Sequence, residues 1–141
     1  MTIHSLNKFV LGLAMVLLGA YSHADTAVIS ETSSAFPYKT GEDVFKHVCA
    51  ACHMPDAKGA VGAGYFPALA KNPKLTAAGY IGFVVVNGQK GMPPFGGTLT
   101  DTQIADTINY VRTHFGNNFA DKVSAQDIGK LRQPGRSYQL E

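Results

Sequence analysis

Only two cysteines occur in the 141-residue chain, and both fall in the stretch Cys49-Ala50-Ala51-Cys52-His53. On a helix, positions i and i+3 share one face and i+4 lies beside them. Two thiols on that face can form thioethers to the two vinyl groups of one haem. The adjacent histidine can then reach the iron from the same side. The C-x-x-C-H spacing therefore reads as a c-type haem attachment site. Three competing readings are weaker. A thioredoxin-type dithiol needs a βαβ context, and no run of alternating β-branched residues precedes Cys49. A zinc site needs a second C-x-x-C or H-x3-H to complete four ligands, and the chain has neither. A disulfide across two residues closes too short a loop to staple a fold.

The N-terminus reads as an export signal. Lys8 lies in a short polar region, residues 9–20 are apolar, and Ser22-His23-Ala24 offers small residues at the −3 and −1 cleavage positions. The apolar run falls short of the roughly 20 residues that span a bilayer. The expected division is a signal peptide over residues 1–24, a flexible leader over 25–39, one domain over 40–132 and a tail over 133–141. A periplasmic location follows, with no stable membrane insertion after cleavage. The formal charge is only +2, which disfavours nucleic acid as a partner, since phosphate binding needs a concentrated basic patch.

Thr40-x-x-Asp43 has the form of a capping box and opens a helix carrying Val44, Phe45, Val48 and Cys49 as an apolar stripe. Met54-Pro55 ends it. Residues 56–64 form a glycine-rich loop that lacks a phosphate-binding fingerprint. Residues 75–87 are apolar on most faces; Val84-Val85-Val86 suits a strand, but the length and the Asn87-Gly88 end favour a buried helix. Tyr80, Phe83 and Val84 recur there at helical spacing. Thr100 and Gln103 form a second capping box, before a helix with Ile104, Ile108, Val111 and Phe115 on one face, closed by Gly116-Asn117. Ser124-x-x-Asp127 starts a last short helix that Pro134-Gly135 ends.

The attachment motif, Gly41-x3-Phe45-x3-Cys49, Tyr65-Phe66-Pro67-Ala68-Leu69, the loop Gly88-Gln89-Lys90-Gly91-Met92-Pro93-Pro94-Phe95-Gly96-Gly97 and Asn109-Tyr110-Val111-Arg112 together resemble class I cytochromes c. The resemblance covers about residues 40–132. It implies an all-α fold of three to five helices wrapped around one covalently attached haem c. It also implies that Gly41 lets the first helix cross closely over the last long one, with Phe45 packed at the crossing. In such proteins a proline carbonyl accepts a hydrogen bond from the free ring nitrogen of the haem histidine, and Pro67 is the match. That bond sets the tautomer and orientation of His53.

The second axial ligand is then sought among Met54, Met92, His47 and His114. Met54 adjoins His53 and cannot reach the far face, and His47 lies on the attachment helix. The resemblance, which carries most of the assignment, points to Met92; His114 as ligand, or Met92 as a core residue, stays open. Pro93 biases Met92 towards extended backbone and the prolines stiffen its loop. The expected cofactor-binding set is Cys49, Cys52, His53, Pro67 and Met92, with His53 and Met92 on the iron. A thioether opposite a histidine raises the reduction potential relative to two nitrogen ligands, and two protein ligands leave no open position for substrate.

The expected function is one-electron transport, not catalysis. The donor would be a periplasmic dehydrogenase or respiratory complex, and the acceptor an oxidase or reductase. The phrases M-P-x-F-G-G-x-L-T and N-Y-V-R-T-H-F-G-N also resemble haem domains of periplasmic alcohol, aldehyde and sugar-acid dehydrogenases, so a dedicated dehydrogenase subunit is a variant of this reading. The alternative from another class is a haem enzyme or gas sensor with an open or weakly ligated sixth position. Lys58 and Lys90 lie in loops near the expected haem edge, where they either steer an acidic partner or are ordinary surface lysines.

Overall fold

The computed structural model describes residues 36–62 and 64–136. The expected signal segment, residues 25–35 of the leader and residues 137–141 of the tail lie outside them. Within the described residues the chain runs through α1 (Gly41–Val44), a π-helical turn (Phe45–Cys49), α2 (Ala50–His53), β1 (Ala60–Val61), β2 (Tyr65–Phe66), a 3₁₀ turn (Pro73–Thr76), α3 (Ala78–Asn87), α4 (Asp101–Thr113) and α5 (Ala125–Gly129).

The first rod begins where Thr40 accepts a hydrogen bond from the Asp43 N–H at 3.1 Å. The reciprocal half of the expected capping box is absent; the Thr40 hydroxyl donates to the Asp43 carboxylate at 2.7 Å instead. The rod is a single helix only in outline. Over Phe45–Cys49 it widens, and the Ala50 N–H reaches back five residues to the Phe45 carbonyl. Such wide turns are rare and concentrate at functional sites. The rod stops at Met54, whose φ of 65° cannot continue it.

The rod crosses α4 at very short range. A methyl group on Gly41 would fall well inside van der Waals contact with the Asp106 carbonyl, and 2.6 Å from the Thr107 nitrogen. Glycine alone permits this approach. Phe45 fills the space beside the crossing, with its ring centroid 5.9 Å from Tyr110 and 4.8 Å from Phe115. Phe115 makes that contact from outside the helix. α4 ends at Thr113, three residues before the expected stop, and Phe115 has a left-handed φ of 56°.

Both later capping boxes form as expected, Thr100 with Gln103 and Ser124 with Asp127. Residues 75–87 resolve into a 3₁₀ turn followed by helix α3, not a strand. Ile104 and Ile108 join Val44, Val86, Leu99 and Ile128 in the main core. A second cluster gathers Phe45, Ala50, Ala57, Leu75 and Val111. The last four leader residues belong to the packed unit. Gln103 donates to the carbonyls of Phe36 and Tyr38 at 3.0 and 2.8 Å, and Tyr38 stacks on His47 at 4.8 Å.

Candidate haem-attachment site

α2 carries Ala50, Ala51, Cys52 and His53, with Cys49 at the end of the wide turn. Cys52 is exposed and Cys49 half-buried; neither forms a disulfide. Burial pushes the Cys49 thiol up to about 12. Among the described residues no group of three or more His, Cys, Asp or Glu converges to hold a metal.

His53 is buried at 9% exposure and oriented. Its Nδ1 lies 2.9 Å from the Pro67 carbonyl oxygen. A carbonyl only accepts, so Nδ1 carries the proton and, in the neutral ring, Nε2 keeps its lone pair. The backbone fixes both partners. The Gly59 N–H donates to the His53 carbonyl at 3.0 Å, and the N–H groups of Leu69 and Ala70 both reach the carbonyl of the fully buried Ala57 at 2.7 and 2.8 Å. Gly59, at φ 68°, passes so close to the strand after it that a Cβ would lie 2.7 Å from the Pro67 carbonyl carbon.

Sequence reasoning missed the device that brings Pro67 beneath His53. Residues 56–64 were expected as a loop, but Ala60 pairs with Phe66 and Val61 with Tyr65 in a two-stranded antiparallel hairpin. Its strands are only two residues long, below the length at which alternation can be read. The hairpin delivers Pro67 directly after β2.

Met92 lies on the loop between α3 and α4. Its N–H and carbonyl pair with the carbonyl and N–H of Gln89 at 2.9 and 3.0 Å. Gly88 starts the loop at φ 75°, with room for a Cβ denied by Pro94 and by the Met92 carbonyl. The loop's far side is tied to α3, where the Phe95 and Gly96 N–H groups donate to Val85 and Val86 at 2.9 and 3.1 Å. The two other histidines among the described residues are engaged elsewhere. His47 stacks on Tyr38, and His114 stacks on Tyr110 at 4.1 Å while its Nδ1 donates to the Tyr110 carbonyl at 2.8 Å. Lys58 pairs with Asp56 at 2.9 Å, so its charge is locally compensated, and Lys90 is exposed.

Among the described residues, the large apolar side chains left exposed are Val61, Tyr65, Tyr80 and Phe83. They belong to the hairpin that leads into Pro67 and to the helix that leads into the Met92 loop. Two thiols, one imidazole with a fixed free nitrogen and flanking apolar surface form the donor set and setting of a haem c. They fit that group: Cys49 and Cys52 would take its thioether bonds, and His53 Nε2 is the ring nitrogen left free to coordinate. The molecule is of the class that binds haem covalently.

Comparison with known proteins agrees. A family profile described as cytochrome c oxidase, cbb3-type, subunit III, matches residues 36–111. The chain is 36% identical over 108 residues to the alcohol dehydrogenase (quinone) cytochrome c subunit of Gluconobacter oxydans (strain 621H), covering 67% of this chain and 22% of that subunit. It is 34% identical over 107 residues to the gluconate 2-dehydrogenase cytochrome c subunit of Pantoea cypripedii, covering 67% and 24%. It is 31% identical over 124 residues to cytochrome c6 of Picosynechococcus sp. (strain ATCC 27264 / PCC 7002 / PR-6), covering 79% and 97%. The chain thus spans about a quarter of the length of those dehydrogenase subunits, and nearly all of a cytochrome c6. It belongs to the class I cytochrome c family. The family implies one covalently attached haem c, and the sequence offers one C-x-x-C-H motif to hold it.

Proposed function

We propose that His53 and Met92 hold the iron from opposite sides and that the chain is an exported carrier of single electrons. The observation that carries this reading is the 2.9 Å contact between His53 Nδ1 and the Pro67 carbonyl. It leaves Nε2 as the one ring nitrogen with a lone pair to give, and it raises the basicity of that nitrogen. The bound haem supplies a single-electron couple between ferric and ferrous iron. Everything else falls to the chain. Cys49 and Cys52 anchor the group covalently, Pro67 fixes the imidazole, and Met92 closes the remaining axial side. Pro93 and Pro94 restrict the loop before it binds, which lowers the entropy lost on ligation. With His53 and Met92 both engaged, the chain would leave the bound group no position for a substrate, and the chemistry it would supply is one-electron exchange.

The donor is proposed to be a periplasmic dehydrogenase or a respiratory complex, and the acceptor an oxidase or reductase. Two relatives named above are cytochrome subunits of dehydrogenases, which supports the donor class and also a role as a dedicated subunit. The signal-like segment supports export. Among the described residues no helix is long and apolar enough to cross a membrane.

The test is spectroscopic. Ferric protein matured with haem should show a methionine–iron charge-transfer band that disappears in Met92→Ala and persists in His114→Ala. A five-coordinate, high-spin spectrum in the unaltered protein would overturn the reading in favour of a haem with an open position. Co-purification with a dehydrogenase separates the subunit role from the free carrier.

A further inference from the structure

The loop that carries Met92 is gripped at both ends by the same short C-terminal segment. At the near end, Arg136 donates to the carbonyl of Asn87, the last residue of α3, at 3.1 Å. Asn87 is buried, and its side chain donates in turn to the Leu131 carbonyl at 3.2 Å. At the far end, Arg132 donates through Nη1 to the Gly96 carbonyl and through Nη2 to the Leu99 carbonyl, the latter at 3.4 Å. The same guanidinium pairs with Asp101 through Nε at 2.8 Å and Nη2 at 2.7 Å. The Arg132 side chain is 20% exposed and that of Asp101 9%, so solvent screens this pair far less than a surface pair. The planar guanidinium offers donors in a fixed fork. It thereby locks two loop carbonyls to the first residue of α4.

The geometry points to Arg132 and Arg136 as positioning residues for Met92. They set the end-to-end span of residues 88–96, and so how firmly the thioether is presented. Neither touches the site itself. This rests on the proposal that Met92 ligates the iron. A loop with loose ends samples conformations in which the thioether is withdrawn, and a competing ligand then takes the vacant side.

The test measures that competition in the haem-loaded full chain, with imidazole as the probe. Imidazole added to ferric protein bleaches the methionine–iron band as it displaces Met92. Hydrogen bonds from a charged donor are stronger than neutral ones, so losing them loosens the loop measurably. Arg132→Gln should therefore lower the half-displacing imidazole concentration roughly tenfold and speed amide exchange at Met92. Arg136→Gln, on an exposed side chain with one bond to the loop, should act in the same direction by about threefold. Arg112→Lys serves as the comparison. That arginine is buried and bonds Leu75 and Asp121, off the loop, so its loss should weaken the fold while leaving the imidazole midpoint in place. If Arg132→Gln does not mature, Arg132→Lys replaces it, since a single ammonium can keep Asp101 but cannot span both carbonyls. Wild-type midpoints in both the Arg132 and Arg136 variants would overturn the inference, as would an equal shift in Arg112→Lys. Absence of the band from the unaltered protein would instead remove the Met92 reading itself, and the positioning role with it.

Discussion

Gly41→Ala tests the close crossing of the first rod over α4. The new methyl would lie 2.6 Å from the Thr107 nitrogen and nearer still to the Asp106 carbonyl. Both obstacles are backbone inside α4, so no rotamer change relieves them. The first rod must move away, and the packing of Val44 and Phe45, at 0% and 1% exposure, loosens with it. Overpacking of this kind costs about 1–3 kcal/mol, and rigid backbone on both sides puts this site at the upper end. Alanine returns at most about 1 kcal/mol of helix propensity. The net loss is about 2 kcal/mol, or roughly 10 °C in melting temperature for a domain near 100 residues. Gly79→Ala is the matched comparison. It also lies in a helix, but nothing stands within 4 Å of its Cβ position. Propensity acts there alone and should stabilise by about 0.5–1 kcal/mol. Guanidinium unfolding of the oxidised haem protein, followed by far-ultraviolet circular dichroism, reads both. Opposite signs are expected. A Gly41→Ala protein as stable as the unaltered one would refute the argument that the crossing demands glycine.

Asn117→Ala should cost about 2–4 kcal/mol in the same assay, because the buried amide bonds Leu69, Val111 and the Asn72 N–H and its loss strands buried groups. Gly88→Ala forces a side chain into a left-handed turn against Pro94; weaker Met92 ligation is expected, read as a lower imidazole midpoint at unchanged haem content. Arg112 holds the Asp121 carboxyl below the usual carboxylate range through a direct hydrogen bond. A depressed acid stabilises fully above its unfolded value, and the contribution drains away as pH falls through the folded one. Asp121→Asn should therefore lower stability at neutral pH and flatten the acid limb of the pH–stability curve; an unchanged limb would exclude the pair as its source.

The parts of the site legible in the sequence are those encoded locally. The attachment motif is a fixed spacing, and the two complete capping boxes are four-residue patterns, so each is read without knowing the fold. Gly41 and Pro67 were legible only through family resemblance, because the crossing and the proline carbonyl bring distant stretches together. The arginines stayed silent for the same reason. Arg112 reaches Leu75 across 37 residues and Arg132 reaches Gly96 across 36, and no periodicity marks a long-range bond to a carbonyl. Phe115 shows the opposite failure. Its spacing continues the apolar face of α4, yet it reaches Phe45 only because the chain has already left the helix. The hairpin was hidden by its brevity, and the widened turn by a sequence that differs in no obvious way from ordinary helix.

That widened turn has a consequence for how the chain tolerates change in length. A π turn holds about one residue more than the 3.6 of an α turn. The segments on either side therefore keep nearly the same angular phase as an uninterrupted α-helix one residue shorter. Gly41 is indexed against α4 on one side, and His53 against Pro67 on the other. The residue between them is slack. Losing one of Lys46, His47 or Val48 would let the turn close to α geometry with both ends still aligned. Adding one would leave nothing to absorb it, and the thiols would swing by about 100° around the axis. The rod is in this sense asymmetric, forgiving of a deletion and intolerant of an insertion.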